Sequence, residues 1–67
     1  NGQIIWIHRQ DTLEDGDIGI FFLDGDAYVK KYSQSSSGIR LISLNKKYAP
    51  IIIAPDSTLK TFGKVVG

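Results

Sequence analysis

Asp24-Gly25 stands between two runs rich in β-branched and aromatic residues, Ile18-Gly19-Ile20-Phe21-Phe22-Leu23 and Asp26-Ala27-Tyr28-Val29-Lys30-Lys31-Tyr32-Ser33. A two-residue hairpin loop of type I′ needs positive φ at both central positions, and Asp-Gly adopts them at low steric cost. Such a loop fixes the register: Leu23 pairs with Asp26, Phe22 with Ala27, Phe21 with Tyr28, Ile20 with Val29 and Gly19 with Lys30. Directly opposed residues share one face of the sheet. Lys30 therefore faces a residue without a side chain, with Tyr28 and Tyr32 on either side of it along its own strand. This arrangement predicts a vacancy beside the lysine into which another group can come.

The rest of the chain reads as β structure too. Gln3 to His8, Ile39 to Ser43, Pro50 to Ala54 and Leu59 to Val66 are further strand candidates. They are separated by turn chemistry at Asp15-Gly16, Ser35-Ser36-Ser37-Gly38, Asn45-Lys46-Lys47 and Pro55-Asp56-Ser57. Thr12 to Asp15 has room for one helical turn and no more. Short strands at this spacing predict an all-β fold, a coiled antiparallel sheet with a small barrel. Trp6, Phe21, Phe22 and Tyr48 are expected in the core or half-buried on the sheet. Leu59 to Val66, apolar and last in order, either closes the sheet or offers an edge to a second chain.

Sixty-seven residues make one domain at most, and a chain this short buries a limited share of its surface. It has no cysteine, so neither a disulfide framework nor a thiolate zinc site is available. No apolar run approaches membrane-spanning length. The charge is nearly balanced but segregated. Residues 1–28 hold six acids and only Arg9 among the bases, whereas residues 29–67 hold seven bases and only Asp56 among the acids. Solvated turns at the two ends of a sheet account for that pattern. A formal net charge of +1 lacks the basic surplus of a nucleic-acid platform, although Lys30-Lys31-Tyr32 and Lys46-Lys47-Tyr48 interleave bases with aromatics. Asp11, Glu14, Asp15 and Asp17 do not make a calcium loop. Aligning Gly16 with the glycine of an EF-hand puts Leu13 and Phe22 where oxygen ligands belong. His8 has no second histidine or cysteine to share a metal with.

A lysine amine works as a base near neutral pH only when its surroundings disfavour the ammonium. In Ser-Lys hydrolases the neutral amine takes the proton of a serine hydroxyl, in place of the more usual histidine. Lys30 between two tyrosines has the surroundings that such a role asks for. The plainer reading is a lysine lying along tyrosine rings with its head in water, as Lys31 beside it is expected to do. Four segments in order then point further: Gly16-Asp17-Ile18-Gly19-Ile20, Asp24-Gly25-Asp26-Ala27-Tyr28-Val29-Lys30-Lys31-Tyr32, Leu41-Ile42-Ser43-Leu44-Asn45-Lys46-Lys47-Tyr48-Ala49-Pro50-Ile51, and Phe62-Gly63-Lys64-Val65-Val66-Gly67. Together they resemble the C-terminal, signal-peptidase-like, self-cleaving domain of LexA-like and phage repressors, and the likeness runs over essentially the whole chain. A membrane-bound signal peptidase shares that fold, but the short lysine strand and the Ser43-Leu44-Asn45 segment are more similar to repressors.

The resemblance implies Lys30 as the general base, the one catalytic residue that it carries onto this sequence, and it calls for no cofactor or metal. The family's nucleophilic serine lies in a Gly-x-Ser-Met-type motif ahead of a segment like Asn1 to Ile5. This chain contains no methionine and no such motif. Residues 1–67 are therefore expected to be the larger C-terminal part of a repressor peptidase-like domain, with the serine segment and an N-terminal DNA-binding domain outside the chain. Ser33, Ser35, Ser36 and Ser37 follow Lys30 too closely to present a hydroxyl to it. Ser43 and Ser57 have no helix N-terminus nearby to stabilise an oxyanion. By itself the chain is expected to be inactive as a peptidase. The family further implies a cytoplasmic homodimer, with cleavage promoted by an activated recombinase filament or an antirepressor. The alternative of a different class is a non-catalytic β-barrel module that only dimerises.

Overall fold

The computed structural model describes residues 4–67. Six strands, β1 (Ile7–Arg9), β2 (Ile18–Leu23), β3 (Asp26–Ser35), β4 (Gly38–Ile42), β5 (Ile51–Ile52) and β6 (Leu59–Val65), form one antiparallel sheet in the order β1-β6-β2-β3-β4-β5. The expected all-β class is what the structure shows. The sheet is open, ending on the short edges β1 and β5, so the described strands do not close a barrel. Among the described residues, no helix is long and apolar enough to cross a membrane.

The Asp24-Gly25 turn behaves as its chemistry dictates, with φ of 49° at Asp24 and 92° at Gly25. All five predicted pairs of β2 and β3 are present, and Ile18 opposite Lys31 extends the ladder. The second hairpin is tighter than its serine run suggests. Ser35 already pairs with Gly38, which leaves Ser36 and Ser37 as the turn. Glu14 to Asp17 form a turn and not a helical one: the Asp17 amide donates to the Glu14 carbonyl at 3.0 Å, and Gly16 takes a positive φ of 93°.

The first strand begins later than the run Gln3 to His8 suggests; Gln3 itself lies outside the described residues. The ladder with β6 sets Ile7 opposite Val65, His8 opposite Lys64 and Arg9 opposite Gly63, and Trp6 just before it exchanges backbone bonds with Val66 and Gly67. The last strand is an interior strand, held by β1 on one side and β2 on the other, so it closes its own sheet and is not an edge. Its ladder with β2 carries a bulge. Ile20 pairs with Gly63 and Phe21 with Thr61, which leaves Phe62 as the extra residue. The Gly63 backbone runs so close to β1 that a Cβ there would lie 2.6 Å from the His8 carbonyl oxygen and 2.7 Å from the Ile7 side chain.

The core lies on one face. Phe21 and Leu41 are wholly enclosed and Leu23 nearly so. Phe21 and Tyr32 stack with centroids 6.3 Å apart, and Tyr32 sits opposite Leu41, so the three neighbouring strands β2, β3 and β4 share one apolar layer. Of the four aromatics expected in the core or half-buried, Phe21 is enclosed and Phe22 about half-buried, while Trp6 and Tyr48 are exposed. Trp6 is 67% exposed, Tyr48 65% and Phe22 42%. The reason is that a single sheet covers one face. Phe22 alternates onto the other, Trp6 precedes the edge strand β1, and Tyr48 stands in the loop between β4 and β5.

Candidate functional site

Lys30 lies mid-strand on β3, half-buried, on the same face as Phe21, Leu23, Tyr28 and Tyr32. Its opposite neighbour is Gly19, as the turn chemistry predicts. The vacancy predicted beside it is filled. A Cβ on Gly19 would lie 2.5 Å from Leu13 Cδ1, 2.9 Å from Phe21 Cζ and 3.2 Å from the Gly63 carbonyl oxygen. Glycine is required here by crowding: the loop before β2 folds Leu13 over the strand, and the core ring of Phe21 leans against it. Space for a reaction partner must therefore lie to the side of Lys30 away from Gly19.

The two tyrosines divide their tasks. Lys30 Nζ stands 5.6 Å from the Tyr28 ring centroid, within the range at which a cation is held by an aromatic face, so Tyr28 orients the side chain. Tyr32 turns instead against Phe21 and anchors the loop before β2: its carbonyl accepts from the Gly16 amide at 2.8 Å and its amide donates to the Asp17 carbonyl at 2.7 Å. Among the described residues no carboxylate lies within ion-pairing distance of Lys30.

Because of the Phe62 bulge, Lys64 comes opposite Gly19, in the same cross-strand row as Lys30 and His8. Lys64 Nζ pairs with Asp17 Oδ1 at 3.4 Å, while Asp17 Oδ2 accepts the Glu14 amide at 2.9 Å. The Asp17 carboxyl is held below its ordinary 3.8, first by the Glu14 amide and then by Lys64, with partial burial acting the other way. A carboxylate whose folded pKa is depressed stabilises the fold fully above its unfolded pKa, and that contribution is lost as pH falls through the folded value. The stability advantage of the native protein over Asp17→Asn is therefore expected to be constant above about pH 5 and to shrink below 3.8. Urea midpoints measured for both proteins across that window check it. An advantage that survives undiminished to about pH 2 would show that the carboxylate is not the stabilising group.

The remaining residues singled out in the sequence have local duties. Asp15 Oδ1 accepts the Gln34 amide at 2.9 Å, so Asp15, like Asp17, binds backbone. His8 is exposed on β1, its Nδ1 2.9 Å from Gln10 Oε1. Ser35 and Ser37 bond to each other at 2.8 Å, and Ser43 Oγ accepts the Asn45 amide at 3.1 Å. Sequence reasoning missed Leu13, Asp17 and Lys64 as neighbours of the lysine row. The dipeptide Asp15-Gly16 pointed to the turn, but only the bulge in β6 brings Lys64 to Asp17 beside it.

Residues 1–66 match the Peptidase S24-like family. The chain is 40% identical over its whole length to the LexA repressor of Oleidesulfovibrio alaskensis, covering 32% of that protein. It is 41% identical to the LexA repressor of Carboxydothermus hydrogenoformans, with 98% of the chain and 32% of that repressor aligned. The LexA repressor of Caldicellulosiruptor saccharolyticus is 39% identical across the full chain and again matched over 32% of its length. The chain thus spans about a third of the repressors it matches. A lysine strand on the core face of an antiparallel sheet, in a sequence matched from end to end, leads to one conclusion: the chain belongs to the Peptidase S24-like family.

Proposed function

We propose that this chain is the lysine-bearing part of the dimerisation and self-cleavage domain of a LexA-like or phage transcriptional repressor, acting in the cytoplasm. The carrying observation is Lys30 itself. It is half-buried on the core face, oriented by Tyr28, free of a carboxylate partner among the described residues, and at home in a Peptidase S24-like chain. In this reading the Lys30 amine takes the proton of a serine hydroxyl carried elsewhere in the polypeptide. The serine oxygen adds to the carbonyl carbon of a peptide bond in the same molecule. The Lys30 ammonium then returns the proton to the departing amine, and water hydrolyses the resulting ester. Cleavage separates DNA binding by a further domain from dimerisation here, and so relieves repression. An activated recombinase filament or an antirepressor is the expected trigger.

A serine proton can be accepted only by the unprotonated amine, so cleavage accelerates toward alkaline pH. The test is to incubate the purified full-length protein at rising pH and follow it by gel and mass spectrometry. Two fragments forming at a rate independent of protein concentration support self-cleavage within one molecule. A protein that stays intact at alkaline pH while remaining folded and dimeric would leave the second reading, a non-catalytic dimerisation module. That reading draws support from the large apolar side chains exposed on the sheet, Phe22 and Val29 among them.

A further inference from the structure

The face of the sheet opposite Lys30 holds a second built feature. Arg9 on β1 lies flat over the Phe62 ring, its guanidinium carbon 4.2 Å from the centroid, and its Nε donates to the Phe62 carbonyl at 3.1 Å. Phe62 in turn meets Phe22 edge to face at 6.1 Å. Phe22 pairs across the sheet with Ala27 on one side and Lys60 on the other, and Ile20 with Val29. Phe22 and Val29 remain 42% and 43% exposed. Arg9, Phe22, Phe62, Lys60 and Asp11 line an open groove of about 670 Å³, enough for a few side chains. The bulge creates it: the extra residue Phe62 raises its ring beside Phe22 and beneath Arg9.

We propose that this groove docks a partner protein through an acidic peptide segment in which a carboxylate neighbours an aromatic or aliphatic side chain. The two parts of that chemistry come from different residues. Phe22, continued by Ala27 and Val29, offers an apolar floor whose covering releases water. Arg9 offers a fork already fixed in place. Stacking and the Nε bond hold the guanidinium, and its two terminal nitrogens remain to grip a carboxylate side by side. Lys60 adds a second cation at the rim. Among the described residues no carboxylate pairs with either of them, Asp11 included.

The same surroundings argue against nucleic acid. A strand with one phosphate per nucleotide would meet Asp11 in the groove and Asp24, which is tied to Thr58 just beyond Leu59. A peptide with a few spaced carboxylates avoids both. The site shares no residue with the lysine row, so it stands whether or not Lys30 is a base.

The experiment is an NMR titration of the isotope-labelled full-length protein with acetyl-Glu-Phe-Asp-Leu-amide, with its amide counterpart acetyl-Gln-Phe-Asn-Leu-amide, and with an oligothymidylate. The acidic peptide is expected to shift the signals of Arg9, Phe22 and Lys60. Its affinity should fall at least about tenfold in Lys60→Glu and in Arg9→Gln, and stay unchanged in Lys30→Ala. Lys60 is exposed on the sheet surface, so its variant reports binding even if Arg9→Gln loosens β1. Equal binding of the amide peptide, preference for the oligothymidylate, shifts confined to the Lys30 face, or full affinity in Lys60→Glu would each overturn the proposal.

Discussion

Lys30→Ala in the full-length protein is expected to lower the rate of self-cleavage by about 10²- to 10⁴-fold at alkaline pH, the range that a positioned acid–base group supplies. In the proposed reading, removing the amine removes the proton acceptor on the core face of β3. Lys30→Arg is the sharper variant. It keeps charge, length and the cation's contact with Tyr28, but a guanidinium does not release its proton in the working range of an enzyme. It should be as slow as Lys30→Ala. Lys31→Ala should cleave like the native protein, because Lys31 is exposed on the opposite face across from Ile18. Quantified fragment yields over time, with dispersed amide spectra to verify folding, make the comparison. If Lys30→Arg cleaves at the native rate, Lys30 is a packing or charge residue and the base lies elsewhere.

Phe21→Ala is the substitution with the largest expected cost to the fold. A Phe-to-Ala change in a close-packed interior costs about 3–5 kcal/mol. At typical stabilities per residue, a chain of this size holds roughly 3–10 kcal/mol in all. Phe21 is wholly enclosed and stacks on Tyr32, and its ring presses on the space above Gly19. Its loss takes away the centre of the layer that joins β2, β3 and β4. The variant is expected to be largely unfolded or to melt well below the native protein, as read by circular dichroism on heating and by urea titration. Phe22→Ala, one residue away but on the half-exposed face, should cost far less. If the two changes cost the same, burial on the face of Gly19 and Lys30 is not what holds the sheet together.

The hairpin was readable from its residues, and the reason is local. Asp24-Gly25 sets the dihedrals of the turn, the turn sets the register, and the register alone places Lys30 opposite Gly19. All of this happens within a few residues, where steric rules leave few choices. The strand runs were likewise visible, and their ends were wrong mainly where pairing depends on a distant partner. Within Gln3 to His8 the run from Ile4 to Ile7 is apolar, yet the strand begins at Ile7, where Val65 comes opposite. Alternation indicated that Phe21 and Phe22 point to opposite faces, but nothing in their spacing says which face is covered.

The amino-acid order by itself determined the β class, the tight turn, the pairing of β2 with β3 and the family to which the lysine strand belongs. Tertiary structure alone decided that β6 runs between β1 and β2, that Phe62 bulges out beneath Arg9, that Leu13 fills the space over Gly19, and that Asp17 meets Lys64. These contacts join residues from six to more than fifty positions apart, as with Leu13 and Gly19 or Arg9 and Phe62. Closing such loops is governed by the competition of whole strands for partners and of side chains for one small core, which no local pattern of residues encodes.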